Sequence, residues 1–194
     1  MQEAKTTPYE VLKIKEFKYF ILGRFIFIMG LRMTGTVIGW WVYQLTESPL
    51  ALGLVGLSEV IPAVSLALYA GHYIDRNENR SLLLKCTILY ICCVVFFLFL
   101  SHKNFEARFE SWTVAFLIFG TIGITGAIRA FSGPTFAALI AKIVPRQFLS
   151  NAAAISSASW LVASVVGHAA AGFLIAFMGI HNSFFVILSL LITG

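Results

Sequence analysis

Two apolar runs, Leu50 to Ala70 and Leu82 to Leu100, stand either side of the ten polar residues GHYIDRNENR, and that arrangement leaves few folds open. The runs are 21 and 19 residues long. As helices rising about 1.5 Å per residue, each spans a bilayer core of about 30 Å. The stretch Gly71 to Arg80 between them is then a tight hairpin at one membrane face, and Arg76, Arg80 and nearby Lys85 give it the charge of a cytoplasmic turn.

Composition agrees. The chain is 59% hydrophobic and only 12% charged, with a mean hydropathy of +0.87, whereas soluble chains carry about 25% charged residues. This describes a polytopic protein whose first partner is the lipid bilayer. The net charge of +5 does not point to nucleic acid, because the basic residues are scattered in small groups between apolar spans. Cys86, Cys92 and Cys93 fall in one apolar run with no histidine at ligand spacing, which argues against a metal centre or a disulfide framework. No cofactor is expected.

In chain order, Met1 to Lys18 reads as a cytoplasmic tail, with Lys5, Lys13, Lys15 and Lys18 set against Glu3, Glu10 and Glu16. A helix lying on an anionic membrane surface suits it. Residues 19–194 form the bundle. The first span runs from Tyr19 to Leu45, too long for a signal peptide and without a small-residue cleavage site. Thr46 to Pro49 is a turn, and the second and third spans are the two runs already described. After a loop from His102 to Ser111, a fourth span extends from Trp112 to Ile143, closed by Pro145 and Arg146. A fifth runs from Ala152 to Met178. A turn, Gly179 to Asn182, leads to Ser183 to Ile192, which is too short to cross, so the chain is expected to end inside a sixth helix of a longer protein.

The expected fold is an all-α membrane protein of six transmembrane helices. With the amino terminus inside, the cytoplasmic segments hold nine cations: Lys5, Lys13, Lys15, Lys18, Arg76, Arg80, Lys85, Lys142 and Arg146. The outer loops hold Lys103 and Arg108, so the charge asymmetry sets this orientation. Small residues allow backbones to approach in lipid, and they mark the first, second, fourth and fifth spans as the bundle centre. The bulky third span and sixth fragment are expected at the rim.

Ions buried in apolar spans carry the functional argument. An arginine or carboxylate at mid-bilayer costs about 2.5 to 3.5 kcal/mol even on lenient scales, so each should face a cavity or a partner. Arg32, Glu59 and Arg129 sit at depths that let them meet. Helical spacing places Thr36 and Tyr43 on the face of Arg32, and Thr125 and Ser132 on that of Arg129. These residues are the expected substrate and proton pathway. Arg24, near the inner end of its span, is expected to snorkel to the interface. Pro62 and Pro134 free the carbonyls of Ser58 and Ala130 beside the charged residues, which suits a gated cavity. A carboxylate that alternates between a dry site and an arginine partner changes its hold on a proton, which gives Glu59 a role in proton coupling. A static salt bridge gluing helices together is the plainer reading of the same pair.

These residues resemble a known family. Gly71, Asp75, Arg76 and Arg80 match the loop signature of the major facilitator superfamily, and Arg129 with Ser132 and Gly133 is similar to its fourth-helix signature. The stretch Tyr43 to Ala70 is similar to the multidrug and siderophore exporter branch, which includes the enterobactin exporter. The chain departs from the pattern at Glu78 and Asn79 in the loop. It departs again at His168, between the fifth-helix motif glycines Gly167 and Gly172, where exporters commonly have proline.

The resemblance implies a twelve-helix protein, not an enzyme, of which this chain is the amino-terminal half: six helices in two inverted three-helix repeats. Its partners are then a carboxy-terminal six-helix half, a small-molecule substrate and protons. It also implies proton-coupled efflux of a drug- or siderophore-like solute by alternating access across a bacterial inner membrane, with Asp75 contacting the other half in a gating loop. A channel or a membrane-embedded enzyme is the alternative, but neither a repeated pore motif nor paired acids or histidines at one face is present.

Overall fold

The computed structural model describes residues 10–102, 105 and 108–194. Residues 1–9 of the expected tail and Lys103 of the expected outer loop lie outside these, as do the side chains of Glu10 and Asp75. A short 3-10 turn, Glu10–Lys13, leads into α1 (Lys15–Thr46), followed by α2 (Pro49–Arg76), α3 (Asn79–Leu100) and α4 (Ser111–Ile143). After a second 3-10 turn, Arg146–Phe148, comes α5 (Leu149–Thr193). There is no strand among the described residues. All five helices are long and apolar enough to cross a membrane.

Local chemistry sets the breaks. Thr46 ends α1 because Glu47 turns left-handed, at φ 51°, and returns its N–H to the Tyr43 carbonyl at 2.8 Å. Ser48 is extended, as a residue before proline must be, and Pro49 starts α2 where a missing N–H costs nothing. Gly179 breaks α5, at φ 76°, a conformation that side chains disfavour. The break reverses the chain. Residues 149–178 run alongside α1, with His168 beside Thr36, while residues 180–193 run back down it, with Phe184 against Trp41 and Leu191 against Gly30.

Several expected boundaries shift. α1 starts at Lys15 rather than Tyr19, and Val11 and Phe17 are fully buried against Ile140, Val144 and Ala152, so residues 11–17 pack on the bundle. The polar stretch Gly71 to Arg80 is not a loop. α2 continues through it to Arg76 and only Asn77 and Glu78 link it to α3, since unbroken helix satisfies the backbone and nothing from His72 to Arg76 interrupts it. The expected turn at Gly179 to Asn182 narrows to Gly179 alone.

The expected division into centre and rim is not clean: α3 and the returning arm each turn one face inward and leave the other open, with Leu84, Ile88, Phe99, Phe185 and Ile192 exposed. α3 buries Tyr90, Val94 and Phe97, and the returning arm buries Phe184, Ile187 and Leu191. α2, placed at the centre from its glycines, leaves Leu57, Val60, Ile61, Val64 and Leu68 exposed. Small residues here make two close helix pairs rather than one common core. At Gly167 of α5, an added methyl would stand 2.8 Å from the Met29 carbonyl oxygen and 2.9 Å from the Arg32 Cβ of α1. At Gly126 of α4 it would collide with the Glu59 carbonyl of α2. Aromatic rings fill the wider gaps, as where Phe97 stacks on Phe184 at 5.9 Å.

Replacement of Gly126 by valine should therefore part α2 from α4 at a cost of about 1 to 3 kcal/mol. Gly120→Ala, with nothing within 4 Å of its added methyl, should be neutral. Thermal unfolding in detergent followed by tryptophan fluorescence checks this, and equal midpoints for the two variants would refute it.

Candidate functional site

α1 and α5 meet along two polar stripes of matching period. Arg24, Arg32 and Thr36 of α1 face Ser156, Ser164 and His168 of α5. Residues four apart stack on one helical face, so parallel helices carrying such stripes form a continuous seam. The Arg24 guanidinium donates to the Ser156 hydroxyl and lies over the Phe136 ring at 5.2 Å. Arg32 Nε donates to Ser164 Oγ at 3.1 Å, with its guanidinium 5.0 Å from the centre of the Trp160 ring. Ser164 in turn donates to the Trp160 carbonyl at 2.8 Å, which fixes it as an acceptor for Arg32. Thr36 Oγ1 and His168 Nδ1 share a hydrogen bond of 2.7 Å.

On the other side, α2 and α4 carry an ion pair between Glu59 and Arg129. It is the one salt bridge among the described residues, and its side chains are 32% and 40% exposed. The pair sits beside the closest approach of these helices. Gly126 admits the Glu59 backbone, and a methyl added at Gly123 would stand 3.5 Å from the Ser58 carbonyl oxygen and 3.7 Å from the Pro62 ring. Pro62 cannot donate to the Ser58 carbonyl, so that oxygen is left without its helical partner at the crossing point.

Both halves of the arrangement line one cavity of about 390 Å³. Its wall includes Arg24, Arg32, Glu59, Thr125, Arg129, Ser132, Gly133 and His168, together with Phe136, Tyr90 and Trp160. The structure thus brings together Arg32, Glu59 and Arg129 with Thr125, Ser132 and Gly133. Thr36 stands behind the wall, reaching it through His168.

Other expected positions fall elsewhere. Tyr43 is not on the cavity: it is 41% exposed and packs on Trp40, because the α1 stripe turns away from the cavity above Thr36. Arg24 does not snorkel outward but points inward, held by Ser156 and Phe136. Gly167 is a packing contact with α1, whereas a methyl on Gly172 would have nothing within 4 Å. Around the expected gating loop, a methyl added at Gly71 would meet nothing within 4 Å, and Arg76 and Arg80 are exposed. The Asp75 side chain lies outside the described residues. His181, just past the break at Gly179, is helical and shares a hydrogen bond of 2.9 Å with Ser101 through Nδ1.

Sequence reasoning overlooked Ser156, Trp160 and Ser164, although the spacing of four from Ser156 to His168 was a usable signal. It also overlooked Tyr90, which reaches the cavity wall from α3.

Charged side chains gathered round a cavity inside a bundle of bilayer-length apolar helices define a membrane transporter. The model of one family, described as transmembrane secretion effector, matches residues 6–192. The chain belongs to that family, within the major facilitator superfamily. No curated protein and no solved structure matches it.

Loss of either member of the ion pair should not be equivalent. Glu59→Gln leaves three cavity arginines with no acid, whereas Arg129→Gln leaves Glu59 facing Arg24 and Arg32. Thermal midpoints in detergent should fall further for Glu59→Gln than for Arg129→Gln, and the reverse order would show that the cavity charges do not act together.

Proposed function

We propose that this chain is the amino-terminal, six-helix half of a secondary transporter that exports a small organic solute in exchange for protons. The carrying observation is the Glu59–Arg129 ion pair, which joins two proline-bearing helices at the wall of a cavity within membrane-crossing helices. A carboxylate released from an arginine can take a proton, and one that re-forms the pair gives it up. Coupling the pair to opening of the α2–α4 contact converts proton movement into exposure of the cavity to alternate sides.

The helix pairing supports two inverted three-helix repeats. The first unit is α1 to α3, and the second is α4 with the two arms of α5. The leading helix of each packs on the middle helix of the other: α1 on α5 through Arg32 and Ser164, α4 on α2 through Arg129 and Glu59. The oily faces left open on α2 and α5, including Leu68 at 92% and Phe177 at 83% exposure, suit lipid and a carboxy-terminal six-helix half.

The basic end of the bundle supports an orientation with the amino terminus in the cytoplasm, the membrane being the bacterial inner membrane that the resemblance implies. Lys13, Lys142 and Arg146 belong to segments brought to that end by the packing of Val11 and Phe17 on Val144 and Ala152. Asp75, at the cytoplasmic end of α2 with Arg76 and Arg80, is the contact to the other half that steadies one state.

Full-length protein in proteoliposomes with an imposed pH gradient tests the reading. The wild type should concentrate its solute against a gradient when the pH difference is applied. Glu59→Gln should lose this while keeping downhill movement, and Asp75→Asn should slow transport without loss of folded protein. Uphill transport with unchanged pH dependence in Glu59→Gln would exclude proton coupling through this residue.

A further inference from the structure

The cavity wall is electrically unbalanced. Arg24, Arg32 and Arg129 line it against the single carboxylate of Glu59, which Arg129 already engages. Among the described residues, Arg24 and Arg32 reach the neutral hydroxyls of Ser156 and Ser164 and the faces of Phe136 and Trp160, and neither is ion-paired. Hydroxyls and ring faces orient a guanidinium but do not neutralise it, and two uncompensated cations at membrane depth are costly.

Their contacts leave donors free in complementary patterns. Arg32 spends Nε on Ser164, and its two terminal amino groups form a fork that fits the two oxygens of a carboxylate end-on. Arg24 spends a terminal amino group on Ser156 and keeps Nε, which is buried and is the one such side-chain atom without a partner among the described residues. A buried donor of this kind normally has an acceptor. The two arginines are eight residues apart on one face of α1, about 12 Å along the helix.

We propose that the seam between α1 and α5 is a two-station binding strip for organic oxyanions. Arg24 receives the anionic group near the basic end of the bundle and Arg32 holds it deeper, beside Trp160. The transported solute accordingly carries a carboxylate, sulfonate or phosphate group. The assignment rests on the transporter reading and gives it a substrate class.

Charge selectivity at a cavity position tests it in the full-length protein. Gly35 lines the cavity and has nothing within 4 Å of an added Cβ, so Gly35→Cys introduces a thiol there. Its reaction with sulfonatoethyl and trimethylammonioethyl methanethiosulfonate is followed by peptide mass spectrometry, which separates it from the native cysteines. Relative to a free thiol, the anionic reagent should be favoured on the order of tenfold, the low end of charge focusing in clefts. The preference should collapse with Arg24→Gln and Arg32→Gln together and persist with Arg24→Lys and Arg32→Lys, which keep the charge. 1-Naphthoate should protect the thiol where 1-naphthamide does not.

A reagent ratio at or below that of a free thiol overturns the proposal even if the glutamine variants do not fold. So does a ratio unchanged by those variants, or protection by the amide equal to that by the acid, or no protection by the acid. Gradient-driven transport persisting beside an unselective cavity would remove the anion assignment alone, whereas an anion-selective cavity without gradient-driven transport would remove the transporter reading.

Discussion

Guanidinium groups inside lipid-length helices are the constraint on which the rest of this structure depends. Each must face a cavity or a partner on another helix, because a charge turned to hydrocarbon is costly. Arg24 and Arg32 find Ser156 and Ser164 on α5, and Arg129 finds Glu59 on α2. These contacts need backbones to come close, and glycine supplies the clearance at Gly167 and Gly126. Helix pairing and placement of charge are therefore one arrangement, and neither stands without the other.

The same arrangement concentrates compliance where it can be used. Pro62 leaves the Ser58 carbonyl without its helical donor, and that carbonyl lies beside Gly123, one residue from Glu59. Pro134 does the same to the Ala130 carbonyl beside Arg129. A helix pair that is both bonded and weakened at one point can part and close there with little loss elsewhere. By contrast, α3 and the returning arm lock α1 with large rings, Phe27 on Tyr90 at 5.9 Å and Trp41 on Phe184 at 5.9 Å, so that side of the bundle is rigid.

Much of this was legible in the chain. Apolar runs gave the helices because a bilayer admits only segments that satisfy their own backbone, and run length is then a direct reading of span. The meeting of Arg32, Glu59 and Arg129 was legible from depth alone, since ions in such spans have few places to go. Positions of Ser156, Trp160 and Ser164 were not drawn out, because serine and tryptophan are unremarkable in a membrane helix until an arginine is known to face them. Tyr43 misled for the same reason in reverse: periodicity gives a face, and a cavity occupies only part of its height.

What the sequence by itself determined is the class of fold, the long apolar runs that become its helices, and the inward turn of Arg32, Glu59 and Arg129. These follow from the cost of exposing peptide groups or charge to hydrocarbon, a local property of each segment. Only the tertiary structure decided which helices touch, which faces of α2 and α3 are buried, and that Arg24 faces the cavity. Those outcomes turn on how side chains of different helices fit together, and complementarity between segments more than a hundred residues apart is not written in the periodicity of either one.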